Sequence, residues 1–357
     1  MSKLRTSILQ VAERAGVSPM TVSRVLREGE AAVRPATRRR VLEAVKELEY
    51  IPVPYMAQNR QVKTNVIGFI PYQFGNRDSV EERTIAGISR AAHEADYDLL
   101  WILRKEREWH ADVPHAAFMD RRADGYIFTN RVAGEWNAVL AALDHADIKA
   151  VACFVDDVPE GIAYVDPDNE RLASAAIEHL YDRGHRNVCY IDGITIPQYE
   201  HNRLPDYRPT RKHDDFKREE AARRAWLRLT GSIDGFHLID VNDPATPLTG
   251  ALLEMLVRRG ITGALCFNDE AAVVLLRSAQ HLGVSIPRDL SIVGIDNTPE
   301  GQECGLTSAD YGGFEAVGQG AVQAIVDMLA GKSAEHASRR LFTGLVERAT
   351  VTQPRLP

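Results

Sequence analysis

From residue 65 onward the chain repeats one unit, a short apolar run followed by an amphipathic stretch of helical length. The runs are Val66–Ile70, Leu99–Leu103, Gly125–Phe128, Val151–Val155, Val188–Ile191, Phe236–Ile239, Ala264–Phe267 and Ile292–Ile295. Between them, segments such as Ile85–Ala95, Trp136–Asp144, Arg171–Arg183, Phe216–Leu229, Gly250–Arg259, Glu270–Leu282 and Phe314–Ala330 read as helices. A strand apolar along its whole length is covered on both faces, and helices between strands are the crossovers that parallel strands need. The pattern therefore predicts an α/β body of doubly wound parallel sheets. At 357 residues the chain exceeds what one core organises, so the units should divide between two sheets with a cleft between them.

The first fifty residues break this alternation and predict an all-α head. Ser7 suits the N-cap of a helix from Ile8 to about Arg14, with Ile8, Val11, Ala12 and Ala15 on one face. Gly16 suits a left-handed turn, Val17 plugs the angle between helices, Ser18 caps the next helix and Pro19 opens it. Ala12, Gly16 and Val22 have the spacing of a helix-turn-helix: the small residue admits the second helix, the glycine turns, and the valine fills the joint. Met20, Thr21, Ser23, Arg24 and Arg27 are then left outward on the second helix. A third helix follows Pro35, with Val41, Leu42, Val45 and Leu48 inward and Arg38, Arg39 and Arg40 in its first turns.

Charge divides the same way. Residues 1–64 hold twelve Lys/Arg against six Glu, a net +6, so within a whole-chain charge of −7 the remainder carries −13. A basic head on an acidic body fits a polyanion-binding module joined to a domain that does not touch the polyanion. No apolar run approaches the ~20 residues of a membrane span, and the N-terminus lacks an apolar signal core, so a cytoplasmic, nucleoid-associated protein is expected. Cys153, Cys189, Cys266 and Cys304 lack metal-ligand spacing and read as buried free thiols.

VAERAGVSPMTVSRVL (Val11–Leu26), TRRRVLEAVKELEYIP (Thr37–Pro52) and KTNVIGFI (Lys63–Ile70), in this order and spacing, resemble the LacI/GalR family of bacterial repressors. The body adds IEHLYDRGHRNVCYIDG (Ile177–Gly193), GALCFNDEAAVVLLRSAQHLGVSIPRDLSIVGIDN (Gly263–Asn297) and LVERAT (Leu345–Thr350). The resemblance implies a two-lobed sensor of the periplasmic-binding-protein kind. Its domains would be 1–52 (head), 53–64 (hinge) and 65–357 (sensor), the N-lobe at about 65–162 and 306–331 and the C-lobe at about 163–305 and 332–357.

It further implies a homodimer on double-stranded operator DNA, with Ser7, Ser18, Pro19, Met20, Thr21, Ser23, Arg24, Arg27, Thr37, Arg38 and Tyr50 at the DNA. Pro19 and Met20 occupy the positions that usually read bases, and neither donates a side-chain hydrogen bond, which leaves apolar contact such as a thymine methyl. The hinge departs from the family. Val53 is a poor N-cap, and Asn59 stands where the family has a leucine wedge, with Met56 one turn earlier as a substitute if the register shifts.

A small-molecule effector, sugar-like, is expected at the strand C-terminal ends, against Tyr72, Gln73, Phe74, Thr129, Asn130, Asp156, Asn268 and Asp296. Asn268 and Asp296 also admit a plainer role, capping the helix or turn that follows. The family's effector arginine falls near an insertion, Thr195–Lys212, holding Arg203, Arg208, Arg211 and Lys212; Arg211 is the favoured one, and it motivates an anionic effector. No cofactor is implied. Two rival classes fail on sequence: a secreted solute-binding protein would carry a signal peptide where this chain has its helix-turn-helix, and GxSxG, GxxxxGK[ST], HExxH and GxGxxG enzyme motifs are absent. The C-terminus TVTQPRLP has no leucine heptads, in keeping with a dimer.

Overall fold

A computed structural model describes residues 7–27, 33–48, 50, 63–71, 79–102, 118, 122–129, 135–155, 157–192, 213–240 and 249–355. The head has three helices: α1 (Ile8–Ala15), α2 (Pro19–Arg27) and α3 (Pro35–Glu47). Ser7 caps α1 reciprocally: its Oγ accepts from Gln10 N at 3.3 Å, and its own N–H donates to Gln10 Oε1 at 2.7 Å. Gly16 closes the helix with φ +63°, donating its N–H to the Ala12 and Glu13 carbonyls. Ser18 Oγ accepts from Thr21 N at 3.2 Å and starts α2. Val11, Ala12, Ala15, Val22, Val25, Val41, Ala44 and Tyr50 form the core, with Val17 wedged beside it.

The body contains twelve strands among the described residues. These are β1 (Val66–Ile70), β2 (Asp98–Trp101), β3 (Gly125–Phe128), β4 (Lys149–Cys153), β5 (Ala163–Pro167) and β6 (Val188–Ile191), then β7 (Phe236–Ile239), β8 (Gly263–Cys266), β9 (Ser291–Ile295), β10 (Thr307–Asp310), β11 (Arg339–Leu341) and β12 (Gly344–Val346). One sheet has the order β11-β5-β4-β3-β1-β2, all parallel; the other is β12-β10-β9-β8-β6-β7, parallel except that β12 runs against β10. The helices that cover them are α4 (Ser79–Glu94), α5 (Glu135–His145), α6 (Asn169–Asp182), α7 (His213–Thr230), α8 (Thr249–Arg258), α9 (Asp269–Leu282), α10 (Pro299–Glu303), α11 (Gly313–Leu329) and α12 (Ala334–Ala337).

The chain passes between the sheets at 167–169, 310–313 and 341–344. The lobe limits expected at 162/163, 305/306 and 331/332 are thereby corrected: β5, α12 and β11 belong with the first sheet and β10 with the second. The error is physical in origin, because Thr307–Asp310 and Arg339–Leu341 have no apolar run of their own and take their place from their partners. The crossings are stitched together, Asp168 N to Leu341 O at 2.8 Å and Thr343 N to Asp310 O at 2.8 Å.

In the first lobe α4 lies against α11 at backbone distance. A Cβ on Gly87 would sit 2.1 Å from the Glu315 carbonyl oxygen, and one on Gly318 would sit 2.2 Å from that of Thr84. Cys153, Cys189 and Cys266 are buried, as expected, whereas Cys304 is exposed at the end of α10, a correction to the expected burial of all four thiols.

In the second lobe His185 is buried, its Nδ1 2.9 Å from Thr262 Oγ1 and its Nε2 2.9 Å from the Thr352 carbonyl, which ties the C-terminal segment to the sheet. Burial pushes its imidazole down to about 4, against the opposing effect of the Thr352 carbonyl. The neutral ring is the folded form, so the stability it contributes is present above the unfolded value of ~6.5 and is lost as pH falls from there through about 4. The melting temperature of His185→Gln should therefore depend less on acid than that of the parent over this window. Equal slopes for the two proteins would remove the ring from the account.

Candidate functional site

The C-terminal ends of β8 and β9 carry the most constrained side chains of the second lobe. Asp296 (φ +113°) and Asn297 (φ +51°) hold positive φ without being glycine, a conformation that costs ~1–3 kcal/mol per residue and persists only where its surroundings impose it. The imposition comes from Asp269 on α9, which is fully buried. Its Oδ2 accepts from Thr298 N at 2.7 Å and Thr298 Oγ1 at 3.2 Å, and its Oδ1 accepts from Ser308 Oγ at 2.6 Å. Ser308 Oγ in turn accepts from Asn297 N at 3.0 Å, and Arg348 Nη2 donates to Asn297 Oδ1 at 2.6 Å. Gly294 and Gly301 leave room for this carboxylate, since a Cβ on either would come within 2.2 and 2.7 Å of its oxygens. Burial, then the negative charge of Asp296, pushes Asp269 up to about 7.

Against this turn stands Arg218 of α7, 4% exposed. Its Nε donates to Asn169 Oδ1 at 2.8 Å, Nη1 to the Phe267 carbonyl at 2.7 Å, and Nη2 to Asp296 Oδ1 at 3.3 Å. The guanidinium carbon is 5.0 Å from the Phe267 ring centroid. One side chain thus gathers the first residue of α6, just past a crossing, and the loops after β8 and β9. Sequence reasoning missed it inside the charged run KREEAARR. The signal was present: Ala221, Ala222, Ala225 and Trp226, three, four, seven and eight positions on, are all buried and put Arg218 on the inward stripe of α7.

Of the expected pocket residues, Asp296 is brought to this cluster. Asn268 N-caps α9, its side chain accepting from Ala271 N at 2.9 Å, so the capping alternative holds for its oxygen. Thr129 is buried at the end of β3 and donates to Glu81 Oε1 of α4 at 2.7 Å. Tyr72, Gln73, Phe74, Asn130, Asp156 and Arg211, like the hinge residues Met56 and Asn59, lie outside the described residues.

On the head, Met20 is 72% exposed, and Ser18, Pro19 and Arg24 are exposed beside it. Ser18 Oγ and Thr21 Oγ1 are hydrogen-bonded at 2.9 Å, and Ser23, Thr37 and Arg38 are half-buried. Arg38 Nε is buried with no hydrogen-bond partner among the described residues. Tyr50 belongs to the head core.

The profile described as "Bacterial regulatory proteins, lacI family" matches residues 7–53, and that described as "Periplasmic binding protein-like domain" matches residues 177–351, together more than half of the chain. The chain belongs to the LacI family. It is a DNA-binding transcriptional regulator with an effector-binding sensor domain. Among its relatives, the HTH-type transcriptional regulator DegA of Bacillus subtilis is 26% identical over 309 residues, covering 83% of this chain and 82% of DegA. The HTH-type transcriptional repressor PurR of Vibrio cholerae is 26% identical over 357 residues, covering 97% and 98%.

These relatives are regulators, not enzymes. The lac repressor dimer bound to operator and the anti-inducer ONPF shares the fold of this LacI-family chain, with a TM-score of 0.62 at 22% identity and coverage of 98% and 99%. The CelR–cellobiose complex does so with a TM-score of 0.61 at 22% identity, covering 97% and 100%. No described helix is long and apolar enough to cross a membrane, and no described cluster of His, Cys, Asp and Glu is arranged to hold a metal.

Proposed function

We propose that this regulator is a cytoplasmic, homodimeric, non-enzymatic repressor whose effector is a polyhydroxylated small molecule, of sugar type, bound where the two sheets present their C-terminal ends. The observation that carries this reading is the Arg218–Asp296 pair. A buried guanidinium fork and a carboxylate, with the side-chain amide of Asn268 at the head of α9, supply the donors and acceptors that vicinal hydroxyls require. Two solved relatives are complexes with such molecules, cellobiose and ONPG. Arg218 takes over the role first given to Arg211; it already faces Asp296, so it does not favour an anionic effector.

A thermal-shift screen of neutral mono- and disaccharides, aldonic acids and sugar phosphates tests the reading. A neutral sugar should raise the melting temperature of the full chain but not of Asp296→Ala. Stabilisation of both proteins alike would displace the site.

At the DNA, we assign base contact to Met20 and Arg24, and phosphate contact to Ser7, Ser18, Thr21, Ser23, Arg27, Thr37 and Arg38. The Nε of Arg38, without a hydrogen-bond partner among the described residues, supports this, because a buried N–H left without a partner is costly and a phosphate oxygen would satisfy it. Tyr50 is buried in the head core, so little of its side chain is open to DNA contact. Pro19 packs beside Met20 on the reading surface. At the hinge, Asn59 would hydrogen-bond in the minor groove without wedging it, and Met56 would provide the apolar insertion. Arg24→Ala should weaken operator binding by ~1–3 kcal/mol and relax selectivity at one position of each half-site. A uniform loss across all sequences, with a shallower salt dependence, would make Arg24 a phosphate contact instead.

A further inference from the structure

Arg83 of α4, in the first lobe, reaches Glu300 of α10, in the second. Its Nη2 lies 3.3 Å from one carboxylate oxygen of Glu300 and 3.5 Å from the other. The side chains are 25% and 57% exposed. The pair lies away from the three crossings in sequence and links the lobes side chain to side chain.

Both ends are fastened to the site. Glu300 sits two residues beyond Thr298, whose amide and hydroxyl are held by Asp269, and four beyond Asp296. Because α10 has only five residues and Thr298 is its N-cap, the 296–298 turn and Glu300 move as one piece. Arg83 sits two residues beyond Glu81, which holds Thr129 at the end of β3. Through Gly87 and Gly318, α4 is also fixed to α11 at backbone distance. Neither residue can shift far without carrying its lobe.

We propose that the Arg83–Glu300 ion pair is a latch that sets the angle between the lobes and so regulates the proposed effector cleft. Its weakness suits this role. An exposed pair is worth little and is screened by salt, so it biases a two-state equilibrium by a few-fold and leaves it reversible by a ligand. The effector part rests on the reading given above; the geometric part does not, and the test addresses the latter.

In the full-length protein carrying Cys304→Ser, the other three cysteines are buried, so spin labels can be directed to Ala141→Cys on α5 and Arg223→Cys on α7, both exposed. Labelled chains diluted with unlabelled ones then report one interlobe distance by pulsed electron resonance, with no effector present. Arg83→Glu and Glu300→Arg should each shift or broaden that distribution, with melting temperatures close to the parent's. The exchange Arg83→Glu/Glu300→Arg should restore both its mean and its width. Single changes that leave the distribution as it was, or an exchange that fails to restore it, overturn the proposal. Failure of every sugar to bind would overturn the effector reading and leave this result standing.

Discussion

Arg218→Ala should unfold at markedly lower denaturant, losing about 3–5 kcal/mol, the range seen when one partner of a buried ion pair is removed. The loss arises less from the attraction itself than from what is left behind. Asp296 would remain buried without its cation, and the Phe267 carbonyl and the Asn169 side chain would each lose a donor. Two further variants separate these parts. Arg218→Lys keeps the charge but not the planar fork that serves three acceptors, so it should recover only part of the stability. Arg218→Ala/Asp296→Asn removes the stranded charge and should be more stable than Arg218→Ala alone. If the double change is the less stable, the carboxylate is satisfied by other partners and the arginine is not its keeper. Under the proposed function, ligand-induced stabilisation should vanish in every variant that lacks the guanidinium, while operator binding through the head persists.

Gly318→Ala should cost about 3 kcal/mol, at the upper end of what overpacking exacts, although alanine is the better helix former by ~1 kcal/mol. The added methyl would lie 2.2 Å from the Thr84 carbonyl oxygen and 2.7 Å from Ile88 N, and backbone cannot step aside as a side chain can. Gly250→Ala in α8 is the comparison, since among the described residues its methyl would meet only Leu282 Cδ1, at 3.4 Å; there helix propensity should win and stability should hold or rise slightly. Chemical denaturation of both proteins checks the pair. Equal stabilities would mean that α4 and α11 can separate without loss.

What the sequence disclosed depended on how local the cause was. Ser7, Gly16 and Ser18 act within three or four residues of themselves, so the head could be read almost to the residue. The central strands announce themselves because nearly every position is apolar. By contrast β10 and β11 exist through neighbours far away in the chain, and without them the lobe limits fell several residues from the true crossings. Asn268 and Asp296 stand out by their place at the strand ends, but the partner that organises Asp296 does not: Arg218 looks like one more charge on a solvated helix until the burial of its stripe is considered. Asp269 carried no local signal, because its role depends on Thr298 and Ser308, which the fold brings to it.

The three stitched crossings have a mechanical consequence. A single peptide tether would let one lobe swivel, slide or tilt, and the work done by a ligand would disperse among those freedoms. Three segments tied together by the Asp168–Leu341 and Thr343–Asp310 hydrogen bonds should behave like a leaf spring. They bend readily across their common width and resist twisting and shear. The lobes should thereby have few soft coordinates, and under the proposed function the work of an effector would be spent along them. A residue inserted into one strap should therefore skew the bend itself, changing the direction in which the lobes travel while leaving every side chain around Asp296 in place.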